Sequence, residues 1–136
     1  VESLGRIDLW RVAIKPGKPF AFGEVLGAPF LGLPGNPVSA FVTALVIARP
    51  FLFDSQGVDD HDVLAVKQRA LFDKKGSPRQ EYLRVRSGPD GVEIFPQQSS
   101  GVLYSTCWGD GMVVQKAGEN ISYGDPVDVI PYVTFN

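Results

Sequence analysis

Residues 29–41 read Pro29-Phe30-Leu31-Gly32-Leu33-Pro34-Gly35-Asn36-Pro37-Val38-Ser39-Ala40-Phe41, a passage from a short apolar run through a glycine turn into a helix start. Pro29–Leu33 reads as a buried strand. Asn36 can cap the helix that follows, and Pro37 at its first position gives up no needed hydrogen bond. The pattern predicts a helix over residues 37–53, which Pro50 kinks or ends. Val38, Phe41, Val42, Leu45, Val46 and Ile47 make it apolar on most sides, and Ser39, Thr43 and Arg49 leave little face for water. Such a helix is expected to lie between layers. Its N-terminal turn offers backbone N–H groups and the positive end of the helix dipole to an anion. Plain capping by Asn36 explains the same residues equally well.

Upstream, Leu9–Ile14 reads as a strand with Trp10, Val12 and Ile14 on one face. A loop follows, Lys15-Pro16-Gly17-Lys18-Pro19, in which prolines of fixed φ and a permissive glycine hold two ammonium groups near one place. Two fixed cations suit a phosphate or another oxyanion, although lysines in such loops are more often simply solvated. Downstream, the acidic stretch Gln56-Gly57-Val58-Asp59-Asp60-His61-Asp62 marks a boundary, giving an expected division into residues 1–57 and 58–136. The second unit reads as all-β: residues 62–72, 79–86, 91–96, 111–116 and 126–132 are short runs rich in Val, Leu, Ile and Tyr, punctuated by Gly and Asp. Strands at that spacing favour a small barrel or sandwich. The first unit, by contrast, is near the size at which a domain buries too little surface to be comfortable alone.

Composition narrows the function classes. With 44% hydrophobic and 21% charged residues the chain is expected to fold, not to be disordered. No stretch reaches the roughly 20 uninterrupted apolar residues of a bilayer span, and Val1-Glu2-Ser3 does not resemble a secretory signal; a soluble, cytoplasmic protein is the expectation, without membrane partners. The net charge is −2, and neither half carries the Lys/Arg cluster on which nucleic-acid affinity depends. One Cys107 and one His61 cannot make a zinc site of Cys and His ligands, so any metal would be held by oxygen. Cys107 is expected to be a small packed residue and His61 to sit in solvent. Arg84 and Arg86 should share a strand face with Arg79 on the other, and the plain expectation is that they are no more than surface arginines. Gln98-Ser99-Ser100-Gly101 is a polar turn whose hydroxyls could meet phosphate.

Taken together, Val12-Ala13-Ile14-Lys15-Pro16-Gly17-Lys18-Pro19-Phe20-Ala21-Phe22-Gly23 and Leu33-Pro34-Gly35-Asn36-Pro37-Val38-Ser39-Ala40 resemble the molybdopterin molybdenumtransferase family, which includes the E domain of gephyrin. Arg79-Gln80-Glu81-Tyr82-Leu83-Arg84 is similar to the family's Arg-x-x-aromatic-x-Arg stretch. Gln98-Ser99-Ser100-Gly101 resembles its Gln-Gly-Ser turn, with Ser99 where the family has Gly, and Gly124-Asp125-Pro126-Val127-Asp128-Val129 its closing strand. The resemblance covers nearly the whole chain. It implies an α+β fold: part of a three-layer α/β, molybdopterin-binding-like subdomain, followed by a small C-terminal β-barrel. It further implies a transferase that uses adenylylated molybdopterin and molybdate, releases AMP and is assisted by Mg2+, and a homodimer. By motif, Lys15 and Lys18 would be the catalytic cations. Pro34, Gly35, Asn36, Pro37 and Ser39 would shape the substrate wall, with Arg79 and Ser100 added from the barrel. The family's Gly-Gly-x-Ser-x-Gly motif and its aspartate do not occur in this sequence, so the metal ligands are expected outside the chain.

Two further readings compete with a partial transferase site. One is a non-catalytic interaction or oligomerisation module, suggested by an apolar helix with too little to cover it. The other is a plain β-barrel binding domain, which leaves the lysine loop unexplained.

Overall fold

A computed structural model describes residues 3–11, 13–17, 19–99 and 103–135. The fold is α+β, built from two sheets and a few helical segments. The first sheet is an antiparallel meander of β1 (Gly5–Arg11), β3 (Pro19–Val25) and β4 (Ala28–Gly32), in the order β1-β3-β4. β3 departs from the loop expected around Pro19. Proline is tolerated at the first residue of a strand, and Phe20 and Phe22, two apart, share a face as strand geometry requires. β1 ends at Arg11, and Ile14 belongs to a separate short strand, β2 (Ile14–Lys15).

β2 leaves the first sheet for the second. It pairs in parallel with β6 (Gln80–Gly88), setting Ile14 opposite Gln80 and Lys15 opposite Glu81. The six-stranded sheet runs β2-β6-β8-β9-β5, with β7 also paired to β6; here β5 is Val66–Arg69, β7 Gly91–Ile94, β8 Gly111–Gln115 and β9 Pro126–Pro131. An isolated bridge, Ala70 to Val92, brings the end of the β5 segment alongside β7. Gly91 enters that approach with φ at 144°, where a side chain would meet the Arg69 carbonyl. Alternation along these strands points Leu83, Val85, Val92, Val113 and Val129 inward, and all five are excluded from solvent. Each such side chain contributes roughly 1.5–3 kcal/mol.

The second region is not the all-β unit that its strand and turn pattern predicts. A short helix, α3 (Tyr104–Trp108), lies on the outer face of β6. It covers Arg84 and contacts the exposed Arg86, which share a face as strand alternation requires: Arg84 donates to Ser105 Oγ and Arg86 to the Trp108 carbonyl. Arg84 is no surface arginine. It is 1% exposed, and its guanidinium also donates to the carbonyls of Tyr82 and Ser99.

The helix predicted over 37–53 forms as α1 (Pro37–Thr43), a π turn (Ala44–Ala48) and α2 (Arg49–Ser55). Pro50 neither ends it nor stands in a regular ladder. The wider π turn ahead of it accommodates a residue with no N–H and a bulky ring. Only one side is buried, through Val38, Ser39, Val42, Thr43 and Ala48, while Leu52 is 49% exposed. This corrects the expectation of a helix enclosed between layers: within this chain only one layer packs against it. By length and composition Pro37–Ser55 is also the one described helix able to cross a bilayer, but it is tied into the protein. Phe41 packs edge-on against Tyr132, and Arg49 donates to the carbonyls of His61 and Phe135.

Candidate anion site at the seam of the two sheets

β2, the turn before α1 and the start of β6 converge on a cavity of about 290 Å3. Lys15, Pro34, Gly35, Asn36, Ser39 and Arg79 line it, with Pro16, Gly17, Pro19 and Gln98 completing the wall. Of the residues singled out from the sequence, these six are brought together. Pro37 is exposed and does not line the cavity. Lys18 and Ser100 lie outside the described residues.

Each contributor is placed by a local cause. The parallel register between β2 and β6 fixes Lys15 beside Glu81. Arg79, just ahead of β6, donates from Nη1 to the Ile14 carbonyl at 3.2 Å, so its guanidinium is anchored to β2. Gly17 has φ at 124° and packs so tightly against α1 that an added side chain would meet Thr43 Oγ1. Only glycine serves there. Gln98 is clamped to β6 by a reciprocal pair of bonds, accepting from the Arg84 amide and donating to the Arg84 carbonyl, with a third to Phe95.

The helix start is a true cap. Asn36 Oδ1 accepts from the amides of Val38 at 3.0 Å and Ser39 at 3.3 Å, so those two donors already have a partner. The cavity's anion-attracting character therefore comes mainly from side chains, above all Lys15 and Arg79, with the capped helix end adding its dipole.

One acidic group balances these cations, and sequence reasoning gave it no role. Glu81 is 3% exposed and lies between two ammonium groups, 3.6 Å from Lys15 Nζ and 3.5 Å from Lys74 Nζ. Burial works against its ionisation. A hydrogen bond from Ser77 and the charges of Lys74 and Lys15 outweigh burial, and its pKa falls below the ordinary value. Gln98 was missed in a different way, since it stood in a quoted motif whose serines drew the attention. No sequence signal could have paired Glu81 with lysines on both sides, because the pairing is made by sheet register.

The remaining candidates behave differently from expectation. Cys107 is exposed, not packed. His61 is mostly shielded, bonded to Asp54 Oδ1 at 2.7 Å and lying over the Phe53 ring, because the chain after α2 folds back on the helix. Tyr132, which the sequence does not single out, has a buried hydroxyl without a partner among the described residues, and burial pushes its pKa up to about 12.

Comparison with known proteins agrees with this fold. Residues 69–132 match the family model described as MoeA C-terminal region (domain IV). A molybdopterin molybdenumtransferase of Haemophilus influenzae is 53% identical over 57 residues, covering 42% of this chain and 14% of that protein. The enzyme of the same name from Synechococcus elongatus is 34% identical across 95% of this chain and 33% of its own length. A crystal structure of a molybdopterin biosynthesis MoeA protein from Pyrococcus horikoshii superposes with a TM-score of 0.78 at 28% identity, over 96% of this chain and 33% of that one. The chain thus spans a third or less of these relatives. Its fold, its motifs and its relatives agree, and it belongs to the molybdopterin molybdenumtransferase (MoeA) family as a C-terminal portion of its members.

Proposed function

We propose that this chain supplies the cationic wall of an active site that inserts molybdate into adenylylated molybdopterin, giving molybdenum cofactor and AMP. The observation that carries the reading is the convergence of Lys15 and Arg79, from opposite sides of the β2–β6 seam, on one cavity with Asn36 and Ser39. A molybdate dianion and the phosphates of an adenylylated substrate both call for fixed cations in a site prepared before the ligand arrives. Arg79 offers a planar fork already oriented by Ile14, while Lys15 offers a compact charge. Lys18 belongs to the same proposal by its place in the motif, as do Pro37 and Ser100. The names of the relatives support the substrate class.

The described residues contain no group of three His, Cys, Asp or Glu side chains able to hold a metal, and Glu81 is already engaged by two lysines. Within this proposal a magnesium ion takes its ligands from outside this chain. In the same proposal the bridge from Ala70 to Val92 closes the second sheet into a small barrel, and the helix 37–55 is one layer of a three-layer subdomain completed by further polypeptide. The protein acts in the cytoplasm.

Calorimetric titration with molybdate and with AMP tests the site. Lys15→Ala is expected to weaken binding of at least one of them about tenfold, some 1.4 kcal/mol. Equal binding by both proteins would remove Lys15 from the site.

A second reading, a homodimeric docking module, is favoured by the outer side of the helix 37–55, where Leu52 is half exposed beside partly covered Leu45, Val46 and Ile47. It calls for a solution mass above that of one chain.

A further inference from the structure

We infer that Glu81 is a positioning residue for the anion-facing ammonium of Lys15, an inference that rests on the anion-site reading above. Lysine carries a flexible four-carbon stem and loses rotamer freedom when it is held on a ligand. Glu81 takes that loss in the folded state. Its carboxylate is held in place because it sits on an interior strand of its sheet, is nearly excluded from solvent and is also paired with Lys74, at 3.5 Å. Lys15, 3.6 Å away on the cavity side, keeps 43% of its side chain open. An ammonium has three donors. The 3.6 Å charge pair with Glu81 holds the ammonium in place without using a hydrogen bond, so its donors stay available to an oxyanion, and Lys74 keeps the carboxylate occupied while Lys15 turns toward the ligand. The two lysines with one glutamate retain a net positive charge, so Glu81 orients without cancelling the field of the site.

This role makes a prediction opposite in sign to that of bulk electrostatics. Glu81→Gln removes a negative charge beside an anion site, and electrostatics alone would tighten anion binding. Positioning requires the reverse. In calorimetric titrations of the 136-residue chain with sodium molybdate and with AMP at fixed ionic strength, Glu81→Gln is expected to bind whichever anion wild type binds about fivefold more weakly. In the Lys15→Ala background the same substitution should change nothing further, whereas a general structural loss would add to that of Lys15→Ala. Glu81→Asp keeps the charge and withdraws the carboxylate by one methylene. It should give a smaller loss of the same sign, and it serves if the glutamine variant fails to fold. Binding by Glu81→Gln or Glu81→Asp at or above the wild-type level, with Lys15→Ala still impaired, would overturn the positioning role and leave the anion site standing. An unimpaired Lys15→Ala would instead overturn the site itself, and the inference with it.

Discussion

The two sheets of this molecule are made of similar residues and reach different degrees of completion. In the six-stranded sheet Leu83, Val85, Val113 and Val129 are wholly buried on one face, and Arg84 and Met112 are buried on the other. The three-stranded sheet and the helix beside it bury Phe20, Val38 and Val42 but leave Leu26, Leu33 and Leu52 exposed. Apolar content does not explain the difference, since α1, the π turn and α2 are richer in apolar residues than most strands of the second sheet. The explanation is geometric. The six-stranded sheet brings the residue after β5 alongside β7 and shares one buried cluster among β6, β7, β8 and β9, whereas an antiparallel meander with one helix has a single wall and an open side. The cavity lies where the complete region meets the incomplete one, and it is lined from both: Pro19 and Asn36 from one side, Lys15, Arg79 and Gln98 from the other.

The comparison can be broken most forcefully at Leu83. Leu83→Ala should cost about 3 kcal/mol of unfolding free energy in urea denaturation, because the surrounding strands cannot collapse into the space left behind. A cost below about 1 kcal/mol, under the roughly 2–5 kcal/mol of such truncations in packed cores, would mean that the second sheet has no rigid core. Asn36→Ala sharpens the comparison from the other side. It removes the acceptor of the Val38 and Ser39 amides and should cost about 1 kcal/mol. Hydrogen exchange should show the loss in the amides of residues 38–43 and not in β6 or β8; equal loss in both would make the two regions one cooperative unit. Smallest is Leu52→Ser on the open side of the helix, expected to change stability by no more than about 0.5 kcal/mol. In light scattering it should lower the mass of any self-association seen in the wild type, and an unchanged mass would take that side of the helix out of the interface.

Much of the second sheet could be read from its residues. Strands near 80–88, 91–94, 111–115 and 126–131 were marked by alternation and by the turns between them, since a strand's two faces impose a period of two whatever its neighbours are. α3 was not, because a five-residue helix is too short to establish a period and draws its stability from packing over Arg84 and its contact with Arg86. β3 was hidden by its opening proline. In the site, Lys15, Asn36 and Arg79 were each legible as an unusual residue in a motif. The burial of Arg84 was not, because alternation tells which face a side chain takes and not what will be laid over that face.

The amino-acid order alone determined the cap at Asn36, the stiff lysine loop, the strand periods and the family resemblance, all of which depend on residues close together in the chain. Folding decided what depends on distant ones. It set Lys15 against Glu81 across a separation of 66 positions, hung Arg79 on the Ile14 carbonyl and left one side of an apolar helix open. Register and closure join segments whose spacing in the chain carries no imprint of their meeting, so the site exists only once the sheets are assembled.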